Sequence, residues 1–184
     1  SPDDQWLVFV NPEGIWKVPV GGGTATPIAA LADAIHPSWS ANGQIVFARE
    51  GDHGIWQVPA GGGAPKAVTG SDSLVGANEW PTSPIVAADG KTVIYSDIGA
   101  ARSYGSARIA ILSMETGKHS ILDLPGLVPF GIVQGYVVYA LSDGALMAAR
   151  VDVPGQKLLG PPVQLGVNVF ARGGPTARWA ATPA

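Results

Sequence analysis

The sequence predicts an all-β chain made of about four copies of one four-stranded antiparallel sheet, and three observations carry that reading. The stretch Gly14-Ile15-Trp16-Lys17-Val18-Pro19-Val20-Gly21-Gly22-Gly23 returns forty positions later as Gly54-Ile55-Trp56-Gln57-Val58-Pro59-Ala60-Gly61-Gly62-Gly63, with eight of ten positions identical. A repeat of this kind marks a chain built by stacking one supersecondary unit. Second, the 25 glycines and 16 prolines fall between short apolar runs, which reads as turns rather than disorder. Third, those runs are rich in β-branched and aromatic residues and far too short for helices.

Each unit opens on a turn: Ser1-Pro2-Asp3-Asp4, Ser40-Ala41-Asn42-Gly43, Ala87-Ala88-Asp89-Gly90, and a weaker Gln134-Gly135. Asn-Gly and Asp-Gly tolerate the positive φ that tight hairpins require. A strand ending in an aromatic residue follows each turn: Leu7-Val8-Phe9, Ile45-Val46-Phe47, Val93-Ile94-Tyr95 and Val137-Val138-Tyr139. Next come Ile15-Trp16-Lys17-Val18, Ile55-Trp56-Gln57-Val58, Ile109-Ala110-Ile111-Leu112 and Leu146-Met147-Ala148-Ala149. Further turns use the two triple glycines, Glu115-Thr116-Gly117-Lys118, and Val153-Pro154-Gly155. A third strand is expected near Ile28, Val68, Ile121-Leu122 and Val163-Gln164-Leu165, and a fourth near Trp39, Val86, Ile132 and Trp179. Pro37, Pro84 and Pro129 each stand six positions before a turn glycine, at Gly43, Gly90 and Gly135. Only 29–35 has enough helix-forming residues for a turn or two of helix.

Four short strands per unit of about 40–48 residues describe a β-propeller blade. The units run approximately 1–39, 40–86, 87–133 and 134–184, in one domain. The chain enters at an anchor turn and leaves through a strand around Arg178-Trp179-Ala180-Ala181-Thr182. Three arrangements therefore stay open: a closed ring of four blades, a fragment of a larger ring, or one half of an eight-bladed ring made by two chains.

Composition narrows the function. The net charge of −3, with no basic run, argues against a nucleic-acid footprint, which needs clustered cations to neutralise phosphates. The lack of cysteine removes disulfides, thiolate nucleophiles and Cys-ligated zinc. The most apolar region, 126–151, is broken by Pro129, Gly131, Gly135 and Asp143, so it supplies no membrane helix of roughly 20 apolar residues.

The pattern Pro37-Ser38-Trp39-Ser40-Ala41-Asn42-Gly43, then Ile45-Val46-Phe47, Ile55-Trp56-Gln57-Val58-Pro59 and Gly61-Gly62-Gly63, resembles the TolB-like (WD-type) propeller repeat. That family's unit is a Pro-x-Trp-Ser-Pro-Asp-Gly turn, two strands and a Gly-Gly turn. The likeness covers nearly the whole chain; it is strong in the first two units and degraded in the last two, where Val86 aligns with Trp39. The Ile-Trp-x-Val-Pro and triple-glycine combination is similar to the sensor propellers of bacterial membrane-anchored serine/threonine kinases. Related propellers precede the hydrolase domain of prolyl-oligopeptidase-type peptidases. The resemblance implies a bacterial binding or gating module, periplasmic or extracellular, attached to a larger kinase or hydrolase parent. It carries over no catalytic residue.

Each candidate chemistry in the sequence has a plainer reading. The triple glycines lead into strands rather than helix N-termini, so they read as turns and not as phosphate loops. No Gly-x-Ser-x-Gly elbow occurs, and His36, His53 and His119 have no assignable serine and acid partners, so no catalytic residue is expected. The segment 71–79, with Asp72, Asn78 and Glu79, lacks EF-hand spacing and reads as a surface loop; no metal or cofactor is expected. Trp16 and Trp56 recur in register, which favours packing between blades. Trp80, outside the repeat pattern and next to Pro81, is the best candidate for an exposed aromatic contact, and its plainer reading is a loop anchor.

One irregularity points to a site. The third unit inserts 97–108 where the first two units need only a few residues. Long loops on a rigid scaffold are where binding concentrates. Propeller topology puts this insertion on the same rim as Asp33, His36, Asp72, Asn78 and Glu79. Arg102, Tyr104 and Arg108 would then contact an acidic or carbonyl-rich ligand, whether a protein or a small molecule; the plainer reading is a tolerated insertion with no role. The expected function is a non-catalytic binding or sensor propeller. The alternative is the substrate-gating propeller of a prolyl-oligopeptidase-type peptidase, or a glycan-active propeller enzyme. A homodimer is a further expected arrangement.

Overall fold

The computed structural model describes residues 1–51, 53–68 and 78–168. They form four antiparallel sheets. The first holds β1 (Trp6–Asn11), β2 (Gly14–Pro19) and β3 (Thr26–Ala29). The second holds β4 (Ala34–Trp39), β5 (Gln44–Arg49), β6 (Ile55–Pro59) and β7 (Lys66–Ala67). The third is β8 (Pro81–Val86), β9 (Thr92–Asp97), β10 (Arg108–Ser113) and β11 (His119–Pro125). The fourth is β12 (Val128–Val133), β13 (Tyr136–Ala140), β14 (Ala145–Asp152), and both β15 (Lys157–Leu158) and β16 (Val163–Asn168), which each pair with β14. Consecutive sheets meet along their inner strands, β1 on β4, β4 on β8 and β8 on β12. This is a propeller arc with sheets as blades.

The strands fall where the repeat placed them. The first sheet has no strand inside β1 among the described residues, and the expected strand at Trp179, with the ring closure it would make, lies outside them. The expected helix at 29–35 is a correction. Ala29 ends β3, the chain turns at 32–33, and Ala34 and Ile35 pair with Arg49 and Ala48 of β5. Strand pairing overrides a weak helical preference there. The helical element among the described residues is a single 3-10 turn, Tyr104–Ser106.

The recurrent prolines have a physical reason. β4, β8 and β12 are the inner edges of their sheets, where a missing N–H costs no ladder bond. Each also carries one extra residue against its neighbour, between Ile35 and Ser38, Thr82 and Ile85, and Pro129 and Gly131. His36 (φ 50°), Ser83 (φ 51°) and Gly131 (φ 139°) take the left-handed conformation at these bulges.

Apolar cores fill the spaces between sheets. Ile15, Ile28, Ala34, Ile45, Phe47 and Val58 join the first two sheets, and half-buried Trp39 and Trp56 pack against them. Val46, Ile55, Val93, Tyr95 and Leu112 join the second and third. Ile94, Ile109, Leu124, Val137 and Tyr139 join the third and fourth. Anchor turns add polar links: Asn42 Nδ2 donates to Gly90 O of the next turn at 3.0 Å.

In that next turn, Asp89 accepts from the N–H groups of Lys91 and Thr92 and from the Thr92 hydroxyl. Partial burial pushes its pKa up, but these hydrogen bonds outweigh it and hold the carboxyl below its ordinary 3.8. A lowered folded-state pKa gives stability that is present above 3.8 and lost as pH falls through the folded value. Acid titration of the melting temperature should therefore fall more steeply in the native chain than in Asp89→Asn. Parallel curves would remove this turn from the acid response.

Candidate functional site

Three loops of one rim converge at the top of the third sheet: the one that carries His53 between β5 and β6, the end of the segment between β7 and β8, and 98–107 between β9 and β10. Their meeting point is Trp80. The Arg102 guanidinium lies over its ring at 3.3 Å from the centroid, and the His53 imidazole sits 3.7 Å away, tilted by 51°. Arg102 and His53 are exposed, and Arg102 has no carboxylate partner among the described residues. A cation over an indole face is attracted by the ring quadrupole, so the guanidinium is held against the ring while the exposed side chain keeps N–H groups available.

Of its two readings Trp80 takes the plainer, a loop anchor, and the exposed contact is corrected: it is 7% exposed. It forms a small core with Ile98, Ala107 and Leu127, against which Tyr104 and Val128 pack. The inserted loop thus folds onto its own apolar base rather than reaching into solvent. Asp97, buried at the end of β9, fixes the arrangement. Its Oδ1 accepts from Trp80 N–H at 2.5 Å and from Gly99 N–H at 3.1 Å, tying two loops to one carboxylate. Ile98 N–H donates to Trp80 O, and Arg102 N–H to Gly99 O. Arg102 itself sits at φ 49°, a left-handed conformation uncommon for a residue with a side chain.

The other expected site residues divide into groups. Arg108 is exposed at the start of β10, across from Asp97. Asn78 is exposed beside the loop, and its carbonyl lies near Gly99. Asp72 lies outside the described residues. Glu79 turns away from the rim into the groove between the second and third sheets. There His119 Nε2–H donates to Oε1 at 3.4 Å, while Oε2 lies 3.2 Å from the same nitrogen without hydrogen-bond geometry. Burial, then the nearby Glu79 and Asp97 carboxylates, push the Tyr95 hydroxyl far above its ordinary range, so it stays protonated.

His36 belongs to the inner wall. Its Nδ1 accepts from the Thr82 hydroxyl at 2.9 Å and from Ser83 N–H at 3.2 Å, stapling β4 to β8. A backbone N–H can only donate, so Nδ1 is the acceptor nitrogen and the neutral ring carries its proton on Nε2. Asp33 pairs with Arg49, whose guanidinium stacks over Trp56 at 4.7 Å. Among the described residues there is no cluster of three metal-ligating side chains, and no helix is long and apolar enough to cross a membrane.

Sequence reasoning missed His53 and Asp97. The available signal for His53 was topological, since its short loop shares the rim with the insertion. Asp97 was read only as the first residue of that insertion.

No protein-family profile and no curated protein matches the chain. Among solved structures it is similar to a protein assigned as a gluconolactonase, at 14% identity and a TM-score of 0.63, covering 90% of this chain and 60% of that one. It is similar to regucalcin, a calcium-binding protein from Agrobacterium tumefaciens, at 13% identity and a TM-score of 0.61, covering 89% and 56%. A chain of the nidogen/laminin complex matches at 14% identity and a TM-score of 0.52, covering 85% and 75%. The chain therefore spans less than two thirds of the first two proteins. The likeness is one of fold: this is a β-propeller arc.

Proposed function

We propose that the chain is a non-catalytic recognition module that binds carboxylate- or carbonyl-rich ligands at the rim around Arg102. The observation that carries this reading is the Arg102 guanidinium, set over a buried indole and without a carboxylate partner among the described residues. Such a cation is oriented in advance, so a ligand carboxylate gains charge-assisted hydrogen bonds without ordering a long side chain. Exposed His53 and Arg108 add donors nearby. The resemblance of the repeat to TolB-like and kinase-sensor propellers supports recognition rather than bond chemistry. It also supports an extracytoplasmic place in a larger bacterial parent.

The test is a panel of acidic, neutral and basic peptides and acidic oligosaccharides, with titration calorimetry of the binders. Arg102→Ala combined with Tyr104→Ala should weaken the best acidic binder about 10–100-fold, the loss of roughly 1.5–3 kcal/mol expected for hydrogen bonds to a charged group. The fold, followed by circular dichroism, should remain intact. Unchanged affinity, or a panel preference for basic ligands, would remove this rim from the function.

A further inference from the structure

Every sheet in this arc presents two different faces, because strand side chains alternate. One face carries the aromatic residue of the anchored strand and looks toward the preceding sheet. Phe47, Tyr95 and Tyr139 occupy this position in the second, third and fourth sheets, at 0%, 2% and 1% exposure. The other face is β-branched or small and looks toward the following sheet, as with Val8, Val46 and Ile94.

The first sheet carries the same aromatic-bearing face with no sheet against it among the described residues. Register puts Leu7 beside Val18 and Phe9 beside Trp16. The repeat equates these four with Ile45, Val58, Phe47 and Trp56. Ile45 is fully buried, whereas Leu7 is 58% exposed. Phe9, Trp16 and Val18 are half-buried. The fourth sheet ends in the complementary type of face. Val138 and Leu146 stand where Ile94 and Ile109 stand in the third, and with Val163 and Leu165 they form an apolar surface. Val163 and Leu165 are 53% and 46% exposed.

We propose that these two faces are inter-blade surfaces, and that their occupants are further four-stranded blades continuing the same ring in the same polypeptide. The blade on the first sheet presents a β-branched face to Phe9 and Trp16. The blade on the fourth presents an aromatic-bearing face to Val138 and Leu146. This repeats the contact chemistry of the three interfaces already formed. The chain covers 60% and 56% of two similar propellers, which leaves length there for about two or three more blades. A second copy of this chain would add four, more than those lengths hold.

These 184 residues contain no cysteine, so each introduced thiol is identified by its own peptide. Leu7→Cys, Val163→Cys and a buried control, Ile45→Cys, are placed in the 184-residue chain and in the gene product that the source cell makes. The native product's intact mass is measured, and maleimide labelling at each position is read by peptide mass. The native product should exceed 18.8 kDa by about 10–15 kDa or more. Positions 7 and 163 should label on the order of 100-fold more slowly in it than in the 184-residue chain, independent of dilution. Position 45 should be protected in both. A native mass of 18.8 kDa overturns the proposal, as does equal labelling at position 7 in both chains. Protection that disappears on dilution overturns it in favour of a second copy.

Discussion

Gly14→Ala is expected to destabilise the fold by about 3–5 kcal/mol, the sum of an overpacking cost and a backbone strain cost. Gly14 has φ +140°, where an L side chain is strained, and a Cβ there would sit 2.1 Å from Ala29 O and 2.6 Å from Leu31 N. Both contacts are backbone atoms at the end of β3 and just beyond it, so no rotamer change relieves them. Gly14 N–H also donates to Asn11 Oδ1, which ties the residue into the β1–β2 turn. For a chain of this size the loss corresponds to a melting temperature lower by roughly 10–15 °C. Gly22→Ala is the control. It has φ +92° but open space around its Cβ, so it carries the strain without the collision. Equal shifts for the two variants would mean that the close approach of β3 is not what requires glycine.

Part of the fold was legible because two units share one strand register. Phe9 faces Trp16 across β1 and β2 as Phe47 faces Trp56 across β5 and β6. The same side chains fill the same places in both units, which is why the strands could be placed by alignment alone. The inner-strand prolines were visible for a similar reason, since edge strands tolerate them. The bulges beside them were not, because His36 and Ser83 are ordinary residues forced to positive φ by the register of β4 and β8. The segment 29–35 misled because its alanines and leucine favour helix locally, while pairing with β5 is a long-range contact.

The insertion at 97–108 was recognised as unusual from its length, but not how it would fold. Ile98 and Ala107, at its two ends, are the apolar residues that close it over Trp80. Read along the chain they look like strand continuations. The loop's polar contacts run to Asp97 and Trp80, which stand 17 residues apart, at the end of β9 and just before β8. Arg102 could be nominated by charge and position, whereas its stacking partner depended on knowing that Trp80 is buried.

Trp80→Ala is expected to cost about 3–5 kcal/mol of stability and to remove recognition at the rim. Both effects follow from what touches it. Ile98, Ala107 and Leu127 share its small core and would line the resulting cavity. Arg102 and His53 lie against its ring and would lose what holds them. Trp80→Phe separates the two contributions. It keeps an aromatic face for the guanidinium and most of the buried volume, and the Trp80 N–H that Asp97 accepts belongs to the backbone in both residues. Stability should recover to within about 1.5 kcal/mol of the native chain, and affinity for acidic peptides should return to within a few-fold. If Trp80→Phe folds with near-native stability yet binds no better than Trp80→Ala, stacking of Arg102 on an aromatic face is not the basis of recognition. If Trp80→Ala melts like the native chain, the small core under the rim does not support the loops above it.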